Sequence, residues 1–373
     1  MRPVLRVGLI GSGFMGRAHA FGLALAERAL DPPCRVEFAC LADADEGRAA
    51  AAAEALGFAR STADWRAMVA DPGIDVVHVT APNALHREMA LAALAAGKPV
   101  HCEKPLAPTA AEADEMAAAA AAAGAVTQVG FNYLANPMLR LARAMIEAGE
   151  IGEPYAYRGV HAEGYMADPA TPWSFRLEPA GGGVMADLGS HALATAEYLM
   201  GPIVRLMGDA AVARPTRPGA DGAPRRVEVE DVARAFLRFE SGASGSLEAS
   251  WVATGRTMQH DFEVYGSRGA IAFAGARLNE LRVYAAGGPA AGRGFRTIEA
   301  GPEHPPYAAF CPAPGHQLGF NELKAIEMAG FLEAIAGRAP EPFGFARGAR
   351  VQRLVEATLA SAADGAWRDD PGG

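Results

Sequence analysis

The segment GLIGSGFMGRAHA, residues 8–20, follows the short apolar run VLRVGLI and sets Gly11, Gly13 and Gly16 in the order G-x-G-x-x-G. Placed directly after a buried strand and at the start of a helix, this spacing constrains the chain more than any other feature. The first glycine allows a tight turn, the second lets the backbone approach a pyrophosphate, and the third lets helix pack on strand. The anion then rests on the helix N-terminus, beside Phe14 and Met15, where free N–H groups and the dipole favour negative charge. Further strand-like runs recur at VEFACLAD, DVVHVTA, PVHCE and AVTQVGF, with alanine-rich helical segments such as HREMALAALAAGK between them. Alternating βα units imply a Rossmann-type, doubly wound parallel sheet (α/β) over residues 1–130.

After about residue 135 the texture changes. PYAYRGVHAEGY, VEDVARAFLRFESG, ASGSLEASWVA and HDFEVYGSRGAIAFAG are strand-like, with glycine turns and few helices between them. That pattern points to a second, α+β domain over residues 131–373, built on a large, mostly antiparallel open sheet. ARPTRPGADGAPRR (213–226) and AAGGPAAGRG (285–294) read as loops. NELKAIEMAGFLEAIAG and RVQRLVEATLASAADG read as the two late helices that cover the sheet, and an apolar face left uncovered by so few helices predicts a homo-oligomer, dimer or tetramer.

A chain of 373 residues exceeds what one core usually serves, in agreement with two domains. The net charge of -9 offers no basic field for nucleic acid or an anionic membrane, so a small-molecule substrate is expected. Cys34, Cys40, Cys102 and Cys311 are scattered without metal or disulfide spacing. The first residues enter a strand without the apolar region of a signal peptide, and no apolar run reaches membrane-spanning length. A cytoplasmic location is the resulting expectation.

Asp43 closes the second strand in CLADAD, where a dinucleotide fold places the acid that accepts hydrogen bonds from the adenosine ribose. It lies further from Gly11 than the usual ~20 residues because ALAERALDPPCR lengthens the intervening helix and loop. A carboxylate there repels a 2'-phosphate and no arginine directly follows, which favours NAD over NADP; Asp45 is the rival candidate. Thr80, Pro82, Asn83 and His86 in TAPNALH, and Glu103 and Lys104 in CEKPLAPT, fall at carboxyl ends of parallel strands, where open α/β sheets bind ligands.

GGGVMADLGSHAL, residues 181–193, places Asp187 and His191 four apart, on one face of a helix that starts near Val184. A metal pair, an acid/base couple and an ordinary helix start all fit. A catalytic zinc needs three protein ligands, and His161 is the only nearby third candidate, so no metal is expected.

The motifs GLIGSGFMGRAH, VTAPNALH, CEKPLA and GGGVMADLGSHAL, in that order, resemble the glucose-fructose oxidoreductase and inositol dehydrogenase (Gfo/Idh/MocA) family over nearly the whole chain. The resemblance implies that Lys104, Asp187 and His191 act together on a substrate hydroxyl while hydride passes to nicotinamide, and acid/base work suits histidine and its neighbouring carboxylate. It also implies substrate contacts from Trp173 and Arg176 in TPWSFR and from Asn132 and Tyr133 in GFNYLANP; His161, from its strand context, fits a substrate wall. Leu134 stands where many relatives carry arginine, which fits a neutral polyol or sugar. The expected function is an NAD-dependent dehydrogenase or reductase acting on a secondary hydroxyl or ketone of a sugar, cyclitol or anhydrosugar. An NAD-dependent glycosidase using transient oxidation, or a non-catalytic sugar or dinucleotide sensor, are the alternatives.

Overall fold

The computed structural model describes residues 2–287, 290–341 and 343–373. Two compact units form: one runs up to Ala135 and takes in Leu318–Ala349, the other comprises Asn136–Gln317 and Arg350–Gly373. The expected single break after residue 130 therefore changes in two ways. Asn132 and Tyr133 join the first unit, and so does the first of the two late helices.

In the first unit, β1 (Val4–Ile10), β2 (Arg35–Ala42), β3 (Arg60–Thr62), β4 (Val76–Val79), β5 (Val100–Cys102) and β6 (Thr127–Val129) pair in parallel in the order β3-β2-β1-β4-β5-β6. Helices α1 (Phe14–Ala29), α2 (Glu46–Leu56), α3 (Trp65–Ala70), α4 (His86–Ala95) and α5 (Ala110–Ala123) alternate with these strands. Local chemistry sets their ends: Asp45, Asp64 and Thr109 cap the starts of α2, α3 and α5, and Gly57 and Gly124 close α2 and α5 in the left-handed region. The strand order reverses between β1 and β4. Such a switch point opens a crevice at the carboxyl ends of the strands.

In the second unit come α6 (Pro137–Glu147), β7 (Pro154–Ala162), α7 (Ser190–Met200), β8 (Ile203–Ala211), β9 (Thr216–Pro218), β10 (Pro224–Arg226), β11 (Val232–Phe239), β12 (Ser244–Ser250), β13 (Gln259–Gly266), β14 (Gly269–Phe273), β15 (Glu280–Ala285) and β16 (Arg296–Glu299). Helix α8 (Phe320–Ile335) belongs to the first unit, α9 (Phe345–Asp364) follows, and β17 (Arg368–Asp369) ends the order. The nine-stranded sheet runs β16-β15-β14-β13-β7-β12-β11-β8-β17, antiparallel except for the β7–β12 pair. The segment 213–226 is not wholly loop, since β9 and β10 form a small hairpin within it. Of the loop 285–294, residues 288–289 lie outside those described.

Side chains on β11 alternate: Ala233, Ala235, Leu237 and Phe239 are buried, while Arg234, Phe236 and Arg238 are exposed. Helix α9 covers the inner side so closely that a Cβ on Gly208 of β8 would meet the Thr358 carbonyl at 2.1 Å. The outer side is not the apolar face expected. Cross-strand pairs such as Arg234–Glu248 at 2.9 Å lace it, with Phe236, 62% exposed, among them. Opposite charges directly across neighbouring strands stabilise their pairing. No helix among the described residues is long and apolar enough to cross a membrane.

A charge cluster closes the core of the first unit. Glu103, just past β5, accepts from His19 Nε2 at 2.8 Å and from Lys324 Nζ of α8 at 3.0 Å, and Lys324 also meets Glu327 at 2.6 Å. Burial pushes the Glu103 carboxyl up, but the Lys324 ammonium and the His19 hydrogen bond outweigh it and hold the carboxyl well below its usual range. Burial and Lys324 lower His19 to about 4, so its ring is neutral, and its Nδ1 lies 3.0 Å from His78 Nδ1. His19, His78 and His101 bring ring nitrogens within 4.8 Å of one another, a spacing a metal could use. Lys324 already supplies positive charge there, and both nitrogens of His19 are engaged.

Removing one partner of a buried pair costs about 3–5 kcal/mol, so Lys324→Ala is expected to lower stability by that amount in urea titration. Because the Glu103 pKa is depressed by folding, its stabilising share is complete above the ordinary carboxylate range and lost as pH falls. Lys324→Ala should flatten that acid-side slope; an unchanged slope would count against the pairing.

Candidate active site

The glycine loop after β1 is fixed by crowding. Gly11 has φ +100°, and a Cβ there would sit 2.8 Å from the Thr80 carbonyl; a Cβ on Gly16 would sit 2.0 Å from the Gly11 carbonyl. Gly11 N–H donates to Ala42 at 2.8 Å, and Thr80 Oγ1 donates to Ile10 at 2.8 Å and lies 3.0 Å from the Gly11 carbonyl. A Cβ on Gly13, in contrast, would meet nothing within 4 Å. Gly13 is the N-cap of α1 and supplies no side-chain cap, so the first N–H groups of α1, at Phe14, Met15 and Gly16, are donors suited to an anion. Phe14 is exposed and lies 5.6 Å from the ring of Phe320, while Met15 is half-buried.

Asp43 stands at the end of β2, where Oδ2 accepts from Ser12 N at 3.1 Å and Ser12 Oγ at 2.5 Å. Oδ1 accepts from Arg48 at 2.9 Å. Burial alone would raise this carboxyl; the Ser12 and Arg48 hydrogen bonds prevail and bring it to about 2. Asp45, the rival, accepts the Arg48 N–H at 2.7 Å as the cap of α2, so its carboxylate serves the helix start. An arginine does therefore reach Asp43, from five residues on rather than from the next position.

The remaining first-unit candidates divide in two. His86 is fully buried, with Nε2 2.8 Å from the Ala81 carbonyl and Nδ1 3.0 Å from the Pro105 carbonyl, so it sits between the turn after β4 and the turn after β5 and donates to one of them. Glu103 points into the core, as described above. Lys104, the next residue, is half-buried, and Pro82 leads into a short helical turn over Asn83–Leu85. Asn132, in the turn after β6, is buried with its amide Nδ2 lacking a hydrogen-bond partner among the described residues, and Tyr133 beside it is half-buried.

In the second unit the helix expected from Val184 begins as a π-helical turn, Met185–Gly189, that passes into α7 at Ser190. Asp187 lies in the π turn and His191 in the first turn of α7. Asp187 Oδ2 accepts from Tyr165 OH at 2.6 Å and from Arg176 Nε at 3.1 Å. Burial first, and then Asp187, raise the Tyr165 phenol, which therefore stays a proton donor to the carboxylate. Arg176 thus meets Asp187 directly. His191 is buried beside His161 of β7, ring centroids 5.4 Å apart, and His161 lies 4.6 Å from His260 of β13. Burial, reinforced by His161, holds His260 well below its ordinary value, so that ring is neutral. Trp173 donates Nε1 to Glu178 at 2.6 Å and carries Arg225 4.0 Å over its ring. Tyr165, His260 and Arg48 were not singled out in the sequence; each reaches its partner across a sheet or a loop, and no local spacing marks it.

A dinucleotide loop on a parallel sheet, joined to a unit carrying a carboxylate and a buried histidine on one helix start, defines a two-unit oxidoreductase. Residues 5–131 match the model of an oxidoreductase family with an NAD-binding Rossmann fold, and residues 139–272 match the GFO/IDH/MocA C-terminal domain. The chain belongs to the Gfo/Idh/MocA family. It is 38% identical to levoglucosan dehydrogenase of Pseudarthrobacter phenanthrenivorans over 98% of each protein. A levoglucosan dehydrogenase structure in complex with NADH and levoglucosan matches with a TM-score of 0.96 at 39% identity, over 99% of this chain and 100% of that one. An NAD-binding oxidoreductase from Klebsiella pneumoniae matches with 0.93 at 40% identity, over 98% of both chains.

Asp43→Ser removes the carboxylate and frees Arg48, so it should weaken NAD and improve NADP, shifting preference by roughly 1 to 3 kcal/mol, the scale of a lost charged hydrogen bond. Calorimetry of both cofactors measures this. Wild-type protein that already prefers NADPH would show that Asp43 does not hold the ribose.

Proposed function

We propose that this chain is an NAD-dependent dehydrogenase or reductase that moves hydride between a secondary hydroxyl or ketone of a sugar, cyclitol or anhydrosugar and the nicotinamide. The observation that carries the reading is the near-complete match to levoglucosan dehydrogenase, in sequence and in fold, together with Lys104, Asp187 and His191 at the family's motif positions. An anhydrosugar is therefore the first substrate to test. Leu134 in place of a family arginine agrees with a neutral substrate.

The residues of the first unit fit the cofactor: the open face above Gly13, the donors of α1 for the pyrophosphate and Asp43 for the ribose hydroxyls. Bound NAD supplies the hydride acceptor. Every proton is handled by the protein. His191 takes the proton of the substrate hydroxyl, and the fixed negative charge of Asp187 favours the imidazolium that results. Tyr165 and Arg176 hold that carboxylate in place. Lys104 stabilises the deprotonated hydroxyl as a nearby cation. Asn132 and Tyr133 contribute polar contacts to the sugar, with His161 and Trp173 as its walls.

His191→Asn is expected to lower turnover by about 10² to 10⁴-fold, the usual yield of positioned proton transfer, while NADH fluorescence on binding stays near wild type. A panel of polyols and anhydrosugars screened for NADH formation supplies the substrate. An active His191→Asn enzyme would overturn the assignment.

A homo-oligomer, dimer or tetramer, belongs to the same proposal, supported by the exposed Phe236 and Tyr155 on an otherwise ion-paired sheet. Light scattering should give a multiple of the chain mass; a monomer mass at every concentration would remove this part.

A further inference from the structure

We propose that Glu230 is a positioning residue for the Asp187–His191 helix start, its carboxylate gripping the backbone that carries Asp187. The inference rests on the acid/base role proposed for that pair. Glu230 lies just ahead of β11. Its Oε1 accepts the Met185 N–H at 2.8 Å, and its own carbonyl accepts the Val184 N–H at 3.2 Å. Two leading donors of the turn therefore end on one residue from a distant part of the chain. Helix starts leave such donors without intrahelical partners, and no side chain at the N-cap of this turn serves them.

The glycine run makes the grip possible. Gly182 and Gly183 take φ of +86° and +68°, and a Cβ on Gly183 would lie 2.4 Å from both Glu230 carboxylate oxygens. The carboxylate thus occupies the space that a side chain at Gly183 would need. Ser190 Oγ then donates to the Ala186 carbonyl at 2.6 Å, which ties the next turn. Asp187 sits between these two fixed points.

The clamp is a charge without a counter-charge. Glu230 is buried and pairs with no cation among the described residues. Its charged neighbour is Asp231, which is held by Trp251 Nε1 at 2.6 Å and Arg214 N–H at 2.7 Å, with Arg217 at 3.9 Å. The helix start itself brings Asp187, tied to Tyr165 and Arg176, and His191. Burial pushes the Glu230 carboxyl up to about 7 against the Met185 hydrogen bond, and Asp231 adds to the rise. As a carboxylate it makes a charge-assisted bond; as an acid it is the weaker acceptor. The grip on Met185 loosens as pH falls through neutrality.

Glu230→Gln keeps shape and an acceptor oxygen but no charge. The ratio of wild-type to variant kcat is expected near one at about pH 5.5 and about 3- to 10-fold at about pH 9, the scale separating charged from neutral hydrogen bonds. KM and NADH affinity should stay within about two-fold, since no substrate contact is removed. A ratio that does not change with pH overturns the proposal. A second readout needs neither variant nor turnover: in 15N-methionine-labelled wild type, the Met185 amide resonance should move with a midpoint near neutral pH. A wild type that turns over no sugar while Met185 titrates defeats the proposed function and leaves the clamp standing. A Met185 amide that stays still in an active enzyme defeats the clamp alone.

Discussion

The buried pairing of Glu103 with Lys324 is the constraint on which the first unit depends. A carboxylate in an apolar interior is tolerated only when a partner charge and hydrogen bonds replace its water, and here the partner comes from a helix more than two hundred residues along the chain. Satisfying Glu103 fixes the turn after β5, and Lys104 follows it with its N–H 3.2 Å from the Glu103 carboxylate. The glutamate anchors the turn from inside the core, and the lysine beside it is half-buried. His86 completes the arrangement by sitting between the turns after β4 and β5, beside a carbonyl of each.

The second unit solves the same problem by different means. Asp187 is held by a phenol and a guanidinium, and its backbone by a glutamate that needs glycine opposite it. The π-helical turn adds an extra residue to the helix start, a feature common at functional sites. Near this helix start His161 and His260 pair across β7 and β13, with Thr195 3.0 Å from His260 Nε2.

Much of this was legible in the sequence where the signal is local. The G-x-G-x-x-G loop, the parallel strands and the class of both sheets follow from spacing and apolar runs, because each is decided within about twenty residues. Glu103 and His86 were read as cofactor contacts, yet the one lies in the core and the other between two carbonyls; a motif records which residues occur together, not which way each faces. Arg48 escaped because it approaches Asp43 from the first turn of α2, and Tyr165 because a tyrosine in a loop carries no periodicity. The outer sheet face was expected to be apolar, and the alternating arginines of VARAFLRF were already the sign that it is not.

Both units are discontinuous along the chain, and the first holds the leading segment and then, after eight of the nine strands of the central sheet, Leu318–Ala349. On the ribosome the leading segment therefore emerges with Glu103 still lacking its cation. At about 5–20 residues per second, roughly two hundred further residues take some 10 to 40 s to arrive. During that interval the nascent parallel sheet holds a carboxylate that favours water over burial, so the core stays unsealed while the strands of the central sheet emerge. The second unit is completed later still, because its own last segment, Arg350–Gly373, carries most of α9 and all of β17 and is made last of all.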